Sequence, residues 1–382
     1  MNFTLSEEHL LVKRMFAGFC SREIRPHGEE IDRSEELLPK VLRKCTGQGF
    51  WAALIPADYG GAGMDILSYM LMLEEIARAD LSTALTVNIH NSLVVKSLMD
   101  HGTPEQQERF IEMLASGESL GAFALSEPAA GSDVAAMRLG ATSVDGRYCL
   151  QGSKSWVSNG ALAGLFLVFA RAEKGITAFL VERETPGLQV GYREKTLGLR
   201  GLSINTVYFD ECTIPPENRL GEEGQGLRIA LQALSLSRLG VAALGLGGAE
   251  RALEEGVRFS IEHIQFGVPI AKKQTIQNYV ADAQAVTEAL RCLVTQTAML
   301  AEAGQPYSQE ASIAKLFGSR VAYDVTDLMV QVHGGYGYMK DYAIERYYRD
   351  CRALELIEGT TQVQQFLIAR DIYHREGLDI SI

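Results

Sequence analysis

The sequence predicts an α+β protein made of an N-terminal helical domain, a small antiparallel β domain of barrel or sandwich type, and a C-terminal domain like a four-helix bundle. Three observations predict this order. Apolar residues recur at helical spacing over residues 1–120, short apolar and β-branched runs fill residues 121–228, and long helical periods return over residues 229–382. A chain of 382 residues also exceeds the usual size of one hydrophobic core, so several packed domains are expected.

The N-terminal third has apolar residues three and four positions apart, which is typical of amphipathic helices. The segment TPEQQERF (103–110) indicates a helix start, because Thr103 can cap the helix, Pro104 suits its first turn and Gln106 occupies the reciprocal capping position. The first helix shows the apolar spacing in Leu10, Leu11, Met15, Phe16 and Phe19.

The middle region consists of strand-length runs with turn signals between them, namely RYCLQG, LFLVFAR, ITAFLVE and NTVYFDEC. Because no helix of ten or more residues separates these runs, the pattern argues against a βαβ nucleotide fold. The segment IPPENRLGEEGQG (214–226), rich in Pro, Gly and charge, then ends the β region. Helices are expected near 227–265, 275–303 and 308–333, with two shorter ones after them, as in an up-and-down bundle.

Composition excludes several classes of function. A net charge of −12 without any cluster of Lys and Arg argues against nucleic-acid binding. Six cysteines without CxxC spacing indicate buried thiols in a reducing compartment, with no metal site. The N-terminus lacks a signal-peptide pattern, and the longest weakly polar runs (161–170 and 239–249) are shorter than a membrane span. We therefore expect a cytoplasmic protein without a membrane partner.

Two loops could hold a ligand. FALSEPAAGSD (123–133) gathers Ser126, Ser132 and several small residues whose backbone N–H groups could hold a phosphate or a polar ring edge, although a plain loop with capping serines fits equally well. In KSWVSNG (154–160), Trp156 could cover a flat aromatic cofactor and Ser158 could donate to a ring nitrogen. Taken alone, the second motif favours a core tryptophan followed by a turn.

Two further motifs lie near the C-terminus. QVHGGYGY (331–338) ends a long helix with paired glycines, and His333 within it is expected to be a satisfied polar residue. ELIEGTTQVQ (355–364) places Glu358 behind Leu356 and Ile357, whose apolar side chains would raise its pKa towards neutral pH. Locally, an exposed carboxylate at a helix N-terminus is the favoured alternative.

Together, these four motifs in this order resemble the acyl-CoA dehydrogenase flavoprotein family. The resemblance covers essentially the whole chain, including IPADYGGAGMD (55–65) and FDECTIPPENRLGEEGQG (209–226). It implies FAD as cofactor, bound between the β domain and the C-terminal bundle. It also implies that Glu358 removes the α-proton of an acyl-CoA while a hydride leaves the β-carbon for flavin N5, which gives a trans-2-enoyl-CoA.

The resemblance assigns roles residue by residue. Residues expected to contact the isoalloxazine are Leu125, Ser126, Trp156 and Ser158. Ser132 is expected at the flavin pyrophosphate and at the phosphopantetheine of the substrate. Residues expected to hold FAD from a neighbouring subunit are Phe266, Gln274, Gln331 and Gly335, and Thr360 and Gln362 are expected to face FAD. The substrate would be contacted by Ser132, Ser235, Arg238, Ile357 and Gly359.

The chain departs from the family pattern at several positions. His263 stands at a cofactor position where the family commonly has Arg, which would weaken a pyrophosphate contact or make it depend on pH. Ile357 replaces the usual aromatic residue before the base and changes the acyl pocket, and Leu202 and Ile204 replace the Ser and Thr that are often present. Some branches place the base on the first long C-terminal helix, where this chain has Ser237, so Glu358 has no competitor.

The expected function is oxidation of a small or medium acyl-CoA in fatty acid metabolism, with an electron-transfer flavoprotein as acceptor. Cofactor sites shared between chains imply a homo-oligomer, usually a tetramer in this family. Two alternatives stay open at this point. One is a dehydrogenase of an acyl group on a carrier protein, and the other is a flavin-binding relative that has lost catalysis.

Overall fold

The computed structural model describes residues 5–380, so the first four residues of the predicted N-terminal helical domain and the last two of the C-terminal domain lie outside the described residues. Before the first strand the chain forms helices and short 3-10 turns. The α-helices are α1 (Glu7–Glu23), α2 (Gly28–Ser34), α3 (Pro39–Gly47), α4 (Ile66–Ala79), α5 (Leu81–Asn88), α6 (Lys96–His101) and α7 (Pro104–Ser116), and a π-helical stretch, Ile89–Val95, follows α5.

Side-chain caps start several of these helices. Thr103 accepts a hydrogen bond from the backbone of Gln106, whose side chain in turn accepts from the backbone N–H of Thr103, so the predicted capping box at α7 is confirmed. Asp65 and Asp80 accept from the third residue of α4 and α5 in the same way. The two aspartates therefore fix where the buried helices α4 and α5 begin.

The middle region is a single eight-stranded sheet with the order β6-β7-β3-β2-β4-β5-β8, and β1 pairs with β4. Its strands are β1 (Leu120–Ala124), β2 (Gly140–Val144), β3 (Arg147–Ser158), β4 (Ala163–Ala172), β5 (Gly175–Glu182), β6 (Leu188–Arg193), β7 (Ile204–Ile214) and β8 (Arg219–Leu220). Most pairs are antiparallel as predicted, but β1 runs parallel to β4, and β2 touches β4 in parallel at one residue pair. The long connection between β1 and β4 permits this arrangement.

The C-terminal region contains α8 (Gly226–Glu262), the short hairpin β9 (Ile264–Gln265) and β10 (Val268–Pro269), α9 (Gln274–Glu302), α10 (Ser308–His333), α11 (Ala343–Leu354) and α12 (Thr361–Arg375). The predicted long helices are thus confirmed. α8 packs closely on α10 because small residues face each other there. A Cβ on Gly245 would lie 2.7 Å from the carbonyl oxygen of Gly318.

By length and composition α8 could cross a membrane, yet 89% of its most apolar window is buried inside the protein. A buried core helix passes the same test, so this observation gives no membrane role to α8. The absence of a membrane partner stays a prediction.

His90, in the π-helical stretch, ties the helical domain to the start of β1. Its Nδ1 accepts from the backbone N–H of Gly121 at 2.9 Å, so the ring proton lies on Nε2, which donates to the carbonyl oxygen of Trp51 at 3.0 Å. Acceptance at Nδ1 requires the neutral ring, because both ring nitrogens are donors in the protonated form. Burial lowers the pKa of His90 to about 4, more than the hydrogen bonds to backbone carbonyls raise it.

The lowered pKa of His90 predicts that the folded protein loses stability in acid. Because the pKa of His90 is lower in the folded than in the unfolded state, the unfolded chain binds the extra proton between about pH 6.5 and 4. The free energy of unfolding should therefore fall by roughly 3 kcal/mol as the pH drops through that window. Urea unfolding of the wild type and of His90→Gln at several pH values checks this. The variant should lose less stability on acidification, and equal losses would exclude His90 as the cause.

Candidate active site

Glu358 lies in the tight connection between α11 and α12. Both Glu358 (φ 52°) and Gly359 (φ 98°) adopt left-handed backbone conformations, which are costly for a residue with a side chain and occur often at functional sites. A side chain at Gly359 would be strained by this φ, and its Cβ would lie 2.5 Å from Nε2 of Gln364, which would have to shift. Thr360 then caps α12 by accepting from the backbone N–H of Val363.

Three side chains hold the backbone of this connection. Nε of Arg238, on α8, donates to the carbonyl oxygen of Glu358 at 3.2 Å, and Nζ of Lys315, on α10, donates to that of Gly359 at 2.7 Å. The amide of Gln364, on α12, donates to both carbonyls. All three donors are buried. The strained turn is therefore clamped from three helices.

The carboxylate of Glu358 is buried, so the alternative of an exposed helix-start carboxylate is wrong. Oε2 has no hydrogen-bond partner among the described residues, and Oε1 lies 3.5 Å from Nδ2 of Asn88. Burial raises the pKa of Glu358 to about 7, although the hydrogen bond with Ser237 and the charges of Lys315 and Arg238 lower it. A carboxylate with this pKa and a free lone pair can accept a proton near neutral pH.

The source of the burial differs from the sequence-based expectation. Leu356 is 54% exposed, and of the two preceding apolar residues only Ile357 packs against the core. The carboxylate is instead covered by α5, α8 and α10, which meet at this point. The sequence-based expectation that the pKa of Glu358 is raised is therefore correct in direction. Its stated cause, burial by Leu356 and Ile357, is only partly correct.

The two loops singled out in the β domain lie side by side. The backbone N–H of Ser155 donates to the carbonyl oxygen of Ser126 at 2.9 Å, and Nζ of Lys154 donates to that of Leu125 at 2.9 Å. Lys154 also pairs with Glu127 at 2.8 Å, with both side chains buried. A buried ion pair therefore joins the FALSEP loop to the end of β3.

Trp156 does not belong to the core, in contrast to the local preference for a core tryptophan. The β3–β7 register shifts between Lys154 and Val157, and Trp156 takes a left-handed φ of 54° at this irregularity. Its side chain is consequently 59% exposed. Half-buried Ser126 and Ser158 lie in the same strand-end region, and exposed Ser132 lies on the loop after β1.

A buried asparagine connects these loops to the helices near Glu358. Nδ2 of Asn159, the next residue after Ser158, donates to the carbonyl oxygens of Thr86 on α5 and Gly121 on β1, both at 3.2 Å. Thr86 lies two residues before Asn88 on α5. The end of β3 is therefore tied to the helix that reaches Glu358.

The other predicted cofactor residues lie elsewhere. Gln331 is 16 positions after Lys315 in the sequence, about 24 Å further along α10. Near that end, a groove of about 490 Å³ is lined by His263, His333, Gly334 and Gly335, and the ring of His263 stacks on Phe259. Phe266 and Gln274 are exposed at the β9–β10 hairpin and at the start of α9. The structure therefore divides the predicted site residues into two groups.

Around Glu358, the predicted substrate residues Arg238, Ile357 and Gly359 come together. Thr360 is half-buried and Gln362 exposed at the start of α12. Ser235 lies one turn before Arg238 on α8, its hydroxyl contacts that of Ser308 at 3.2 Å, and both serines line a groove of about 410 Å³. This groove opens between the N-terminal ends of α8 and α10.

Sequence reasoning missed the residues that support these groups, namely Asn88, Lys154, Glu127, Lys315 and Gln364. Their only signal was polarity in otherwise apolar segments, as in Asn88 within LSTALTVN. A third set of polar residues, Glu74, Glu75 and Glu250, brings three carboxylates together, but Lys13, Arg78 and Arg291 pair with them.

Comparison with known proteins gives the family. Profiles of the acyl-CoA dehydrogenase N-terminal, middle and C-terminal domains match residues 6–118, 122–212 and 224–373. The short-chain specific acyl-CoA dehydrogenase of Clostridium acetobutylicum is 38% identical over 378 residues, which is 98% of this chain and 100% of that protein. The chain belongs to the acyl-CoA dehydrogenase family. The predictions of the family, the three-part fold and the enzyme class are thereby confirmed, and the non-catalytic alternative is set aside.

Solved structures agree with this acyl-CoA dehydrogenase assignment. Butyryl-CoA dehydrogenase from Megasphaera elsdenii superposes with a TM-score of 0.95 at 36% identity and covers 98% of this chain and 100% of its own. A chain from a study of the electron transferring flavoprotein of Acidaminococcus fermentans gives 0.95 at 39% identity, covering 97% and 99%. Acyl-CoA dehydrogenase complexed with FAD from Bacillus anthracis gives 0.92 at 31% identity, covering 98% and 68%.

Proposed function

We propose that Glu358 is the catalytic base of this acyl-CoA dehydrogenase and that its substrate is a short-chain acyl-CoA, which it converts to the trans-2-enoyl-CoA. The observation that carries the proposal is the buried carboxylate with a pKa near 7 and an unpartnered Oε2. The printed names of the short-chain specific and butyryl-CoA relatives support the substrate class.

The enzyme is an acyl-CoA dehydrogenase and its cofactor is FAD. The residues present fit an aromatic cofactor: Trp156 presents an exposed ring, and the hydroxyls of Ser126, Ser132 and Ser158 form no hydrogen bond with any described residue. We assign the ring system to Leu125, Ser126, Trp156 and Ser158, with Thr360 and Gln362 facing it. When bound, FAD supplies a hydride acceptor at N5.

The residues around Glu358 account for proton removal. The α-C–H bond of the thioester breaks heterolytically, its proton passes to Oε2 of Glu358, and its electron pair forms the new double bond as the β-carbon loses a hydride. The α-proton is only weakly acidic, so the thioester oxygen needs stabilisation. The backbone N–H of Glu358 donates to no described residue and is the donor that we assign to this oxygen. Arg238 and Lys315 hold the carbonyls of Glu358 and Gly359, which follow this N–H in the chain, and so anchor the turn that carries it.

The distant group of predicted residues supports a second proposal. His263, Phe266, Gln274, Gln331 and Gly335 lie well away from Glu358, so we assign them to the FAD of a neighbouring subunit in a homo-oligomer, most simply a tetramer. His263 would meet the pyrophosphate where a permanently charged, bidentate Arg is usual, so this contact should be weaker than an Arg contact. We further propose an electron-transfer flavoprotein as acceptor and a cytoplasmic location.

Anaerobic bleaching of the flavin tests the substrate. We expect butyryl-CoA and hexanoyl-CoA to reduce the flavin fastest, with octanoyl-CoA slower and palmitoyl-CoA slowest. Butyryl groups on an acyl-carrier protein serve as the matched comparison, since the net charge of −12 of this chain does not favour an acidic carrier. Faster reduction by the carrier-bound group would overturn the assignment to CoA thioesters.

A further inference from the structure

A buried row of polar side chains leads from α4 to Glu358. Its members are Tyr69 on α4, Ser92 in the π-helical stretch, Asn88 at the end of α5 and Ser237 on α8, and all four are fully buried. The contacts are Tyr69 Oη to Ser92 Oγ at 3.0 Å, Ser92 Oγ to Asn88 Oδ1 at 2.8 Å, and Asn88 Nδ2 to Ser237 Oγ at 2.9 Å. The row ends at Glu358, whose Oε1 lies 3.5 Å from Asn88 Nδ2.

The direction of every hydrogen bond in this row is fixed by its neighbours. Asn88 Nδ2 also donates to the carbonyl oxygen of Ser237 at 3.2 Å. A carbonyl only accepts, so the amide nitrogen must face α8 and Oδ1 must face Ser92. Ser92 therefore donates its one hydroxyl proton to Oδ1 of Asn88, and Tyr69 must donate to Ser92. Ser237 accepts from Asn88, so its own proton is free for Glu358, whose Oε1 lies 3.5 Å from the same amide nitrogen.

Each donor therefore points towards the carboxylate, and the far end of the row is closed. Tyr69 is fully buried, and burial raises its pKa far above neutral, so it neither releases a proton nor leads to solvent. A relay that carries the substrate proton outward is excluded by this closed end. What the row can do is present a polarised hydroxyl to the carboxylate and fix its orientation.

The packing shows that the row is built into the fold. Gly240, on α8, makes room for it, since a Cβ there would lie 2.1 Å from Oδ1 of Asn88. The π-helical stretch starts directly after Asn88 and contains Ser92, and such wide helical turns often mark functional sites. Asn88 and Ser237 are 149 residues apart in sequence, so only the folded structure brings them together.

We propose that Ser237, oriented by the row Tyr69–Ser92–Asn88, is a positioning residue that holds the Glu358 carboxylate and favours its ionised form. The proposal rests on the assignment of Glu358 as the base. The charged or titratable groups that face Glu358 are Lys315 on α10, Arg238 on α8 and Tyr69 on α4, with Glu355 near Lys315 and Arg370 on α12 near Arg238.

The test is the pH profile of anaerobic flavin reduction by saturating butyryl-CoA in the FAD-loaded enzyme. The rate should rise with pH as Glu358 ionises. Removing a donor that favours the carboxylate raises the pKa, so Ser237→Ala should move the midpoint upward by about one pH unit. Ser92→Ala leaves Ser237 in place but frees Asn88, so its upward shift should be smaller. The matched control is Ser260→Ala, a buried serine on α8 that donates to its own helix, with a midpoint at the wild-type value.

A second readout does not depend on turnover. The infrared stretch of the protonated carboxyl, identified by its absence in Glu358→Gln, should titrate at higher pH in Ser237→Ala. If only one of Ser237→Ala and Ser92→Ala folds, the shift measured in that variant alone tests the proposal. Unshifted midpoints in the variants that fold, alongside loss of reduction in Glu358→Gln, would overturn the positioning role and leave the base assigned. Wild-type reduction in Glu358→Gln would instead overturn the base.

Discussion

In Glu358→Gln, anaerobic reduction of the flavin by butyryl-CoA is expected to fall by about 10⁴-fold, the upper range for loss of a general base. Glutamine preserves the size and the hydrogen-bonding shape of the side chain, but its amide cannot take up a proton. Binding of FAD should persist, because Arg238, Lys315 and Gln364 hold the backbone of this connection and not the carboxylate. Stopped-flow absorbance measures the rate, and the ratio of flavin to protein absorbance measures cofactor content.

The matched control is Glu355→Gln, three residues earlier. Glu355 pairs with Arg352 at 2.7 Å and has no contact with the carboxylate of Glu358 among the described residues. We expect this variant to reduce its flavin within about twofold of the wild type, since an ion pair near the surface contributes little. Comparable rates in Glu358→Gln and the wild type would sink the assignment of the base.

The sequence was sufficient for the order of elements because that order depends on local patterns. Thr103 and Gln106 mark the start of α7 with their own side chains, and the apolar period of α8 spans its whole length. The parallel pairing of β1 with β4 was not predictable in this way, because it depends on where the chain leaves α7.

At the candidate site, the sequence identified the carboxylate that we propose as the base but not the residues around it. Glu358 stands in a recognisable segment, but its burial comes from α5, α8 and α10, which converge only in the fold. Asn88 lies 270 residues away in sequence, and no periodicity links it to Glu358. Trp156 illustrates the opposite error, since propensity favours burial of a tryptophan, while a register shift in β3 turns its ring outward.

The largest effect on stability is expected from Lys154, whose loss leaves a buried charge unpaired. Nζ of Lys154 donates to Glu127 and to the carbonyl oxygen of Leu125, and Glu127 also accepts from the backbone N–H groups of Arg138 and Leu139. In Lys154→Met, Glu127 stays buried without its cation, and breaking such a pair costs about 3–5 kcal/mol. Leu125 loses its tether at the same time, so the variant should also retain less FAD.

The double variant Lys154→Met/Glu127→Gln separates the effect of the unpaired charge of Glu127 from the effect of the lost hydrogen bond to Leu125. Because glutamine removes the unpaired charge and still offers an oxygen to the backbone N–H groups, the double variant should be more stable than Lys154→Met alone. Its FAD content should stay low, since the tether to Leu125 is absent in both. Lys174→Met, at an exposed lysine between β4 and β5, is the control and should change stability by less than about 0.5 kcal/mol. Urea midpoints and bound flavin are the measurements, and a Lys154→Met variant with the wild-type midpoint and full flavin would show that the pair does not hold the loop.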